Sequence, residues 1–169
     1  MHLAQLNISR MIAPDIGHPL MADFVAQLDT VNALAEASDG FIWRLKGDGG
    51  NATNIKGFDD KRVIVNMSVW ESPETLQAFV RGAGPIQSMH TEVMRDRRKW
   101  FEKPTELTTV LWWIPVGHRP TLIEAKEKLA QLNRDGSGPD AFSIRDTRSM
   151  RTMANNSNDE NITVNSTLT

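Results

Sequence analysis

The stretch Arg62-Val63-Ile64-Val65-Asn66-Met67-Ser68-Val69-Trp70 constrains the fold more than any other part of the chain. A β-strand turns successive side chains to opposite faces. Val63, Val65, Met67 and Val69 then lie on one side, and Ile64, Asn66, Ser68 and Trp70 on the other. Both faces carry apolar groups, so both are at least half buried. The rest of the chain must supply a sheet around this strand and cover for it.

The flanking segments alternate between two periods. Leu3 to Ser9 reads as a strand that runs into the loop marked by Pro14, Gly17 and Pro19. From Leu20, the residues Met21, Phe24, Val25, Leu28, Val31, Asn32 and Ala35 recur at helical spacing and stop before Gly40. Phe41 to Leu45 reads as a strand, closed by a polar, glycine-rich stretch from Gly47 to Gly57. Ser72-Pro73-Glu74 starts a helix with Leu76, Phe79 and Val80 on its apolar face. Gly82 to Pro85 interrupts it before a longer stripe of Ile86, Met89, His90, Val93, Met94, Arg97, Trp100 and Phe101. Thr108 to Ile114 returns to strand character. Thr121-Leu122-Ile123-Glu124 has capping-box form ahead of Ala125, Leu129 and Leu132, and Gly136 stops that helix. A further short strand is expected at Ala141 to Arg145.

The order is β-α-β-β-α-β with an added helix. This is the α+β, ferredoxin-like split-βαβ pattern, an antiparallel sheet with helices on one face. The opposite face would expose Trp43, part of Arg62 to Trp70 and one of Trp112 or Trp113. Two sheets packed face to face would cover it, so a homodimer is expected, a dimeric α/β barrel. A length of 169 residues suits one domain. We place it at residues 1–145, followed by a polar, flexible tail at 146–169.

Composition removes several chemistries. The net charge is −2, with 19 Lys and Arg against 21 Asp and Glu, so no basic footprint points to nucleic acid. The absence of cysteine eliminates disulfides, thiolate nucleophiles and thiolate metal sites. His2, His18, His90 and His118 show no short ligand spacing, so no metal site is expected. No apolar run approaches the roughly 18 residues of a membrane span. The N-terminus lacks the basic and apolar regions of a secretory signal, so we expect a cytoplasmic protein without a membrane partner. Five Trp and six Phe with no Tyr suggest a Trp-lined cavity for a small, planar, hydrophobic or aromatic molecule.

The blocks Leu3-Ala4-Gln5-Leu6-Asn7-Ile8, Asn32-Ala33-Leu34-Ala35-Glu36, Gly40-Phe41-Ile42-Trp43-Arg44, Asn66-Met67-Ser68-Val69-Trp70-Glu71-Ser72, Arg97-Arg98-Lys99-Trp100-Phe101 and Leu111-Trp112-Trp113-Ile114-Pro115-Val116-Gly117-His118-Arg119-Pro120-Thr121 follow one another in the chain. Together they resemble the domain-of-unknown-function 3291 family over residues 2 to 145. The resemblance implies the dimeric α/β barrel of proteins related to antibiotic-biosynthesis monooxygenases. Relatives on that barrel include cofactor-free oxygenases of polycyclic aromatics, haem-degrading enzymes, muconolactone-type isomerases, aldoxime dehydratases and non-catalytic members. Fold does not choose among them. One departure stands out: Arg81 to Met89 separates Val80 from His90, where the family passes to its His within a few residues.

Three sets of residues are candidates for chemistry. His90 and Arg97 lie on the same apolar stripe; His90 suits a base, a proton relay, an axial haem ligand or a hydrogen-bonded core histidine. Arg97 needs an anionic partner, such as Glu71, Glu92 or a ligand. Asn66, Asn7 and Asn32 interrupt apolar patterns and suit either an oxyanion-binding role or structural hydrogen bonding. Trp43, Trp70, Trp112 and Trp113 are core residues first and cavity-lining candidates second, and Arg44 joins the substrate-binding set or faces solvent. The catalytic candidates are thus His90, Asn66 and Arg97. The expected activity is cofactor-independent oxidation, or isomerase- or cyclase-like proton transfer, on an aromatic or polyketide-like substrate of secondary metabolism. A haem-dependent variant would use His90. The alternative is a non-catalytic small-ligand-binding or assembly module.

Overall fold

The computed structural model describes residues 1–47, 50–52, 55, 57–81 and 97–147. Its elements are β1 (His2–Arg10), a 3-10 turn (Pro19–Met21), α1 (Ala22–Glu36), β2 (Phe41–Arg44), β3 (Val63–Trp70), α2 (Pro73–Arg81), β4 (Thr109–Ile114) and α3 (Leu122–Asp135). Residues 97–100 are also helical; the earlier part of that stripe, with His90, lies outside the described residues. The strands form one antiparallel sheet in the order β2-β3-β1-β4, the ferredoxin-like α+β arrangement. In place of the strand expected at Ala141 to Arg145, only isolated bridges form, Leu111 with Phe142 and Gly138 with Ala141. Beyond them the chain turns, with the Asp146 amide donating to the Ser143 carbonyl.

Period-two alternation divides the sheet residues between two faces. On one, Ala4, Leu6, Val65, Met67, Val69, Val110, Trp112 and Ile114 are at most 5% exposed and pack against Ala125, Leu129 and Leu132 of α3. Trp43, Leu45, Phe58 and Leu122 close the rim of this cluster. The helix begins where Thr121 Oγ1 accepts from the Glu124 amide at 3.1 Å and stops at Gly136, whose φ is 78°. The apolar face expected to need a second copy is therefore covered within one chain. That corrects the reason for expecting a face-to-face dimer.

The other face carries α1 and α2, and its apolar residues form two separate groups. Leu3, Trp70, Leu111 and Phe142 meet Ala35 of α1 and Leu76 of α2. Trp70 stacks on Phe79 at 5.2 Å and meets Phe41 edge-on at 5.4 Å. At the other end of β1, Met11, Ala13, Met21, Phe24, Trp100 and Phe101 cluster with Ile64 and Leu28. Asp146 accepts hydrogen bonds from Ser137 and Ser143, and Thr147 is buried; the rest of the tail expected from residue 146 lies outside the described residues.

Candidate functional site

Between the two apolar groups the helix-bearing face is polar. The register places Asn7 opposite both Asn66 and Thr109, and Gln5 opposite Ser68, with Ser9 one rung further along. Ser9 and Ser68 are buried, Gln5, Asn7 and Thr109 are half-buried, and Asn66 is exposed although the four residues after it in β3 are all buried. An exposed side chain at mid-strand marks a cleft between the described helices on that face.

Each polar group in the cleft has a defined partner or a free valence. Asn7 Nδ2 donates to Thr109 Oγ1 at 2.6 Å, which leaves Oδ1 as its acceptor. Trp70 Nε1 donates to Ser68 Oγ at 2.9 Å, and Ser68 Oγ donates to Gln5 Oε1 at 2.9 Å. Arg97, half-buried on the turn at 97–100, donates from Nη2 to Ser9 Oγ at 3.2 Å. Among the described residues no carboxylate pairs with Arg97 and nothing bonds the Asn66 amide; Glu71 does not reach Arg97, and Glu92 lies outside the described residues. The band thus offers donors and a positive charge to whatever enters.

The other candidates are placed elsewhere. Trp113 shares the helix-bearing face but sits at its outer edge, 5.9 Å from Phe142, with its indole nitrogen buried and unbonded. Trp43 and Trp112 lie on the opposite face with α3. Arg44 is level with Ser68, but its guanidinium turns away to Glu36 Oε1 at 2.6 Å and to the Gly50 carbonyl at 2.8 Å. Lys46 and Arg44, in that order, hold the Glu36 carboxyl below its ordinary range. Asn32 donates to Asn51 Oδ1 at 2.6 Å, and Asn51 in turn bonds Asp29, so this amide ties a loop to α1. The structure thus brings together Asn7, Asn66 and Arg97, reaches the buried Trp70 only through Ser68, and adds Gln5, Ser9, Ser68 and Thr109. The sequence signal for the added residues is the alternation of Gln5, Asn7 and Ser9 along β1, which reads as a solvated strand face.

Two further features lie outside the cleft. A shallow groove of about 500 Å³ at the β2 edge is lined by Glu36 and residues 41–46, with both of its cations paired to Glu36. On the α3 side, Glu124 accepts from Trp112 Nε1 and bonds His118 Nε2, each at 2.8 Å. Among the described residues no group of three or more His, Asp or Glu could hold a metal ion. Among them too, no helix is long and apolar enough to cross a membrane.

A family model described as "Domain of unknown function (DUF3291)" matches residues 2–158. Solved structures similar to this chain include Rv0793 from Mycobacterium tuberculosis, at 14% identity and a TM-score of 0.44, covering 71% of this chain and 100% of that one. NE2512, a protein of unknown function from Nitrosomonas europaea, matches at 13% identity and a TM-score of 0.42, with 71% and 93% covered. A protein assigned as an antibiotic biosynthesis monooxygenase from Chloroflexus aurantiacus J-10-fl matches at 16% identity and a TM-score of 0.38, with 71% and 98% covered. No match was found among curated proteins.

Proposed function

This chain belongs to the DUF3291 family, and from that premise we propose that it is a small-molecule enzyme of the monooxygenase-like type, acting on a planar, hydrophobic substrate that bears a carbonyl oxygen. The observation that carries the reading is the polar band between two apolar clusters, centred on the exposed Asn66 amide, unpartnered among the described residues, with Arg97 at its end. A flat ring system held over the band would direct its oxygen to these donors. Removal of a C–H proton conjugated with that carbonyl turns its oxygen into an enolate oxygen. Fixed amide and guanidinium donors favour the anion over the neutral ketone, and so lower the barrier to its formation. His90, outside the described residues, is the base this reading assigns. The enolate then reduces dioxygen at carbon; loss of water from the resulting hydroperoxide leaves a second carbonyl, so one dioxygen oxidises one methylene to a ketone.

Anthrone is a suitable test substrate because it enolises and its product, anthraquinone, is coloured. The purified chain should raise oxygen uptake above the buffer rate with one dioxygen consumed per anthrone. Asn66→Ala should lower that rate about a hundredfold with little change in melting temperature. Saturable anthrone binding without turnover would instead support the non-catalytic binding module. A Soret band in the purified protein, lost in His90→Gln, would move the reading to the haem-dependent variant.

A further inference from the structure

The hydrogen-bond chain Trp70–Ser68–Gln5 has a direction that chemistry fixes. An indole N–H can only donate. Trp70 is 1% exposed and Ser68 7%, so water does not compete, and the Trp70 donor is satisfied by Ser68 Oγ at 2.9 Å. Having accepted that bond, the Ser68 hydroxyl still has one proton to give, and Gln5 Oε1 lies 2.9 Å away. The Gln5 oxygen is therefore committed to Ser68, and its Nε2 group turns away with two N–H donors that have no partner among the described residues. Reversing the amide would leave the Ser68 proton unpaired at a buried site, a loss that folding does not readily absorb.

We infer that Gln5 is a specificity-determining residue of the cleft: Trp70, acting through Ser68, holds its amide with the N–H groups toward the ligand, so that the site selects molecules presenting an acceptor oxygen there. Ser68 is the positioning residue. The inference rests on the reading of the cleft as a small-molecule site, and it adds which ligand chemistry the middle of the band prefers. Gln5 lies one rung from Asn7 and Asn66, and Arg97 meets Ser9 one rung beyond these, so the donors follow one another along the same face of β1 and β3. Carbonyl, enolate, carboxylate and sulfonate oxygens all fit; a hydroxyl or amine that must donate meets fewer free acceptors among the described residues, chiefly the Asn7 and Asn66 carbonyl oxygens.

Two fluorescent probes with one ring skeleton test this: 8-anilinonaphthalene-1-sulfonate, which carries acceptor oxygens, and N-phenyl-1-naphthylamine, which lacks them. Titrated against the full chain, both should bind and the sulfonate should bind more tightly. Gln5→Leu and Ser68→Ala should each weaken the sulfonate probe about tenfold and leave the neutral probe within about twofold. Ser68→Thr, which keeps the hydroxyl, should restore the preference, and Gln5→Glu, which presents only acceptors, should weaken the sulfonate probe more than Gln5→Leu does. The Gln5 variants keep the test decisive if Ser68→Ala fails to fold. Equal loss of both probes, or no loss of either, would overturn the assignment of Gln5 while leaving the cleft as a ligand site. Asn66→Trp, which fills the open rung, should displace both probes. Failure of both probes to bind the wild-type chain, or their retention in Asn66→Trp, would overturn the cleft reading and the Gln5 assignment with it.

Discussion

Glu124 joins groups from three parts of the chain: the β4 indole of Trp112, the loop imidazole of His118 and the cap residue Thr121. Desolvation pushes its carboxyl up, but hydrogen bonds from His118 and Trp112 outweigh this and hold it below its ordinary value. A carboxyl whose folded pKa lies below its unfolded one stabilises the fold at every pH above the unfolded value, and that contribution is lost as pH falls through the folded one. The window here lies below about pH 4.5. Glu124→Gln should therefore cost about 1 to 2 kcal/mol in urea unfolding at neutral pH, and the gap to wild type should close by about pH 3. A gap independent of pH would show that the charge is not what these contacts hold. The same residue marks a limit of sequence reading. Thr121-x-x-Glu124 is legible as a capping box, yet the carboxylate goes to Trp112 and His118, a choice set by where β4 ends. Gln5 and Ser68 were hidden for a similar reason: a polar residue alternating with apolar ones reads as solvent-facing until the register shows which face the helices occupy.

At the scale of elements, the turns and periods were legible and the coverings were not. The strand over Arg62 to Trp70, the helix begun by Ser72-Pro73 and the stop at Gly136 all correspond to observed elements, because alternation, capping and glycine act within a few residues. The α1 start moved to Ala22 because Pro19–Met21 forms a 3-10 turn, in which His18 Nδ1 accepts from the Leu20 amide. The absence of a strand over Ala141 to Arg145 depends on Ser143 and Asp146 turning the chain, which is a side-chain event rather than a period. Gly40 joins α1 to β2 with a φ of 74°, and a methyl group there would collide with the Thr75 side chain on α2. Gly40→Ala should cost at least about 1 to 2 kcal/mol from the backbone alone, read as a lower denaturant midpoint. Gly50→Ala is a useful control, since Gly50 also has a positive φ but no described residue lies near its added carbon. A Gly40 variant no worse than the Gly50 variant would show that the approach of α2 to this turn carries no energy.

For the molecule as a whole, the decisive feature is a sheet covered on both faces by its own chain, tightly on one side and with an opening on the other. The α3 stripe of Ala125, Leu129 and Leu132 was legible as an amphipathic helix, but the pattern does not say which surface the stripe meets, and so a second copy was the economical cover. With α3 in place, Trp112 and Ile114 are each 1% exposed, and the apolar residues of this sheet face are already buried within the chain. The intact chain should then sediment near its single-chain mass of 18.9 kDa at micromolar concentration. Leu129→Asp combined with Leu132→Asp places two charges where burial is prohibitive, so α3 must leave the sheet. The uncovered face would present Trp112, Val69, Met67 and Leu6 to water, a patch of the kind that drives association. The double variant should therefore shift to a dimer or larger species and lose stability together. Exposed Ile123 on the same helix provides the comparison, since Ile123→Asp leaves the stripe intact and should change neither mass nor melting temperature. A double variant with the mass and melting temperature of wild type would mean that α3 does not seal this face, and a second copy would again be the better account of how it is buried.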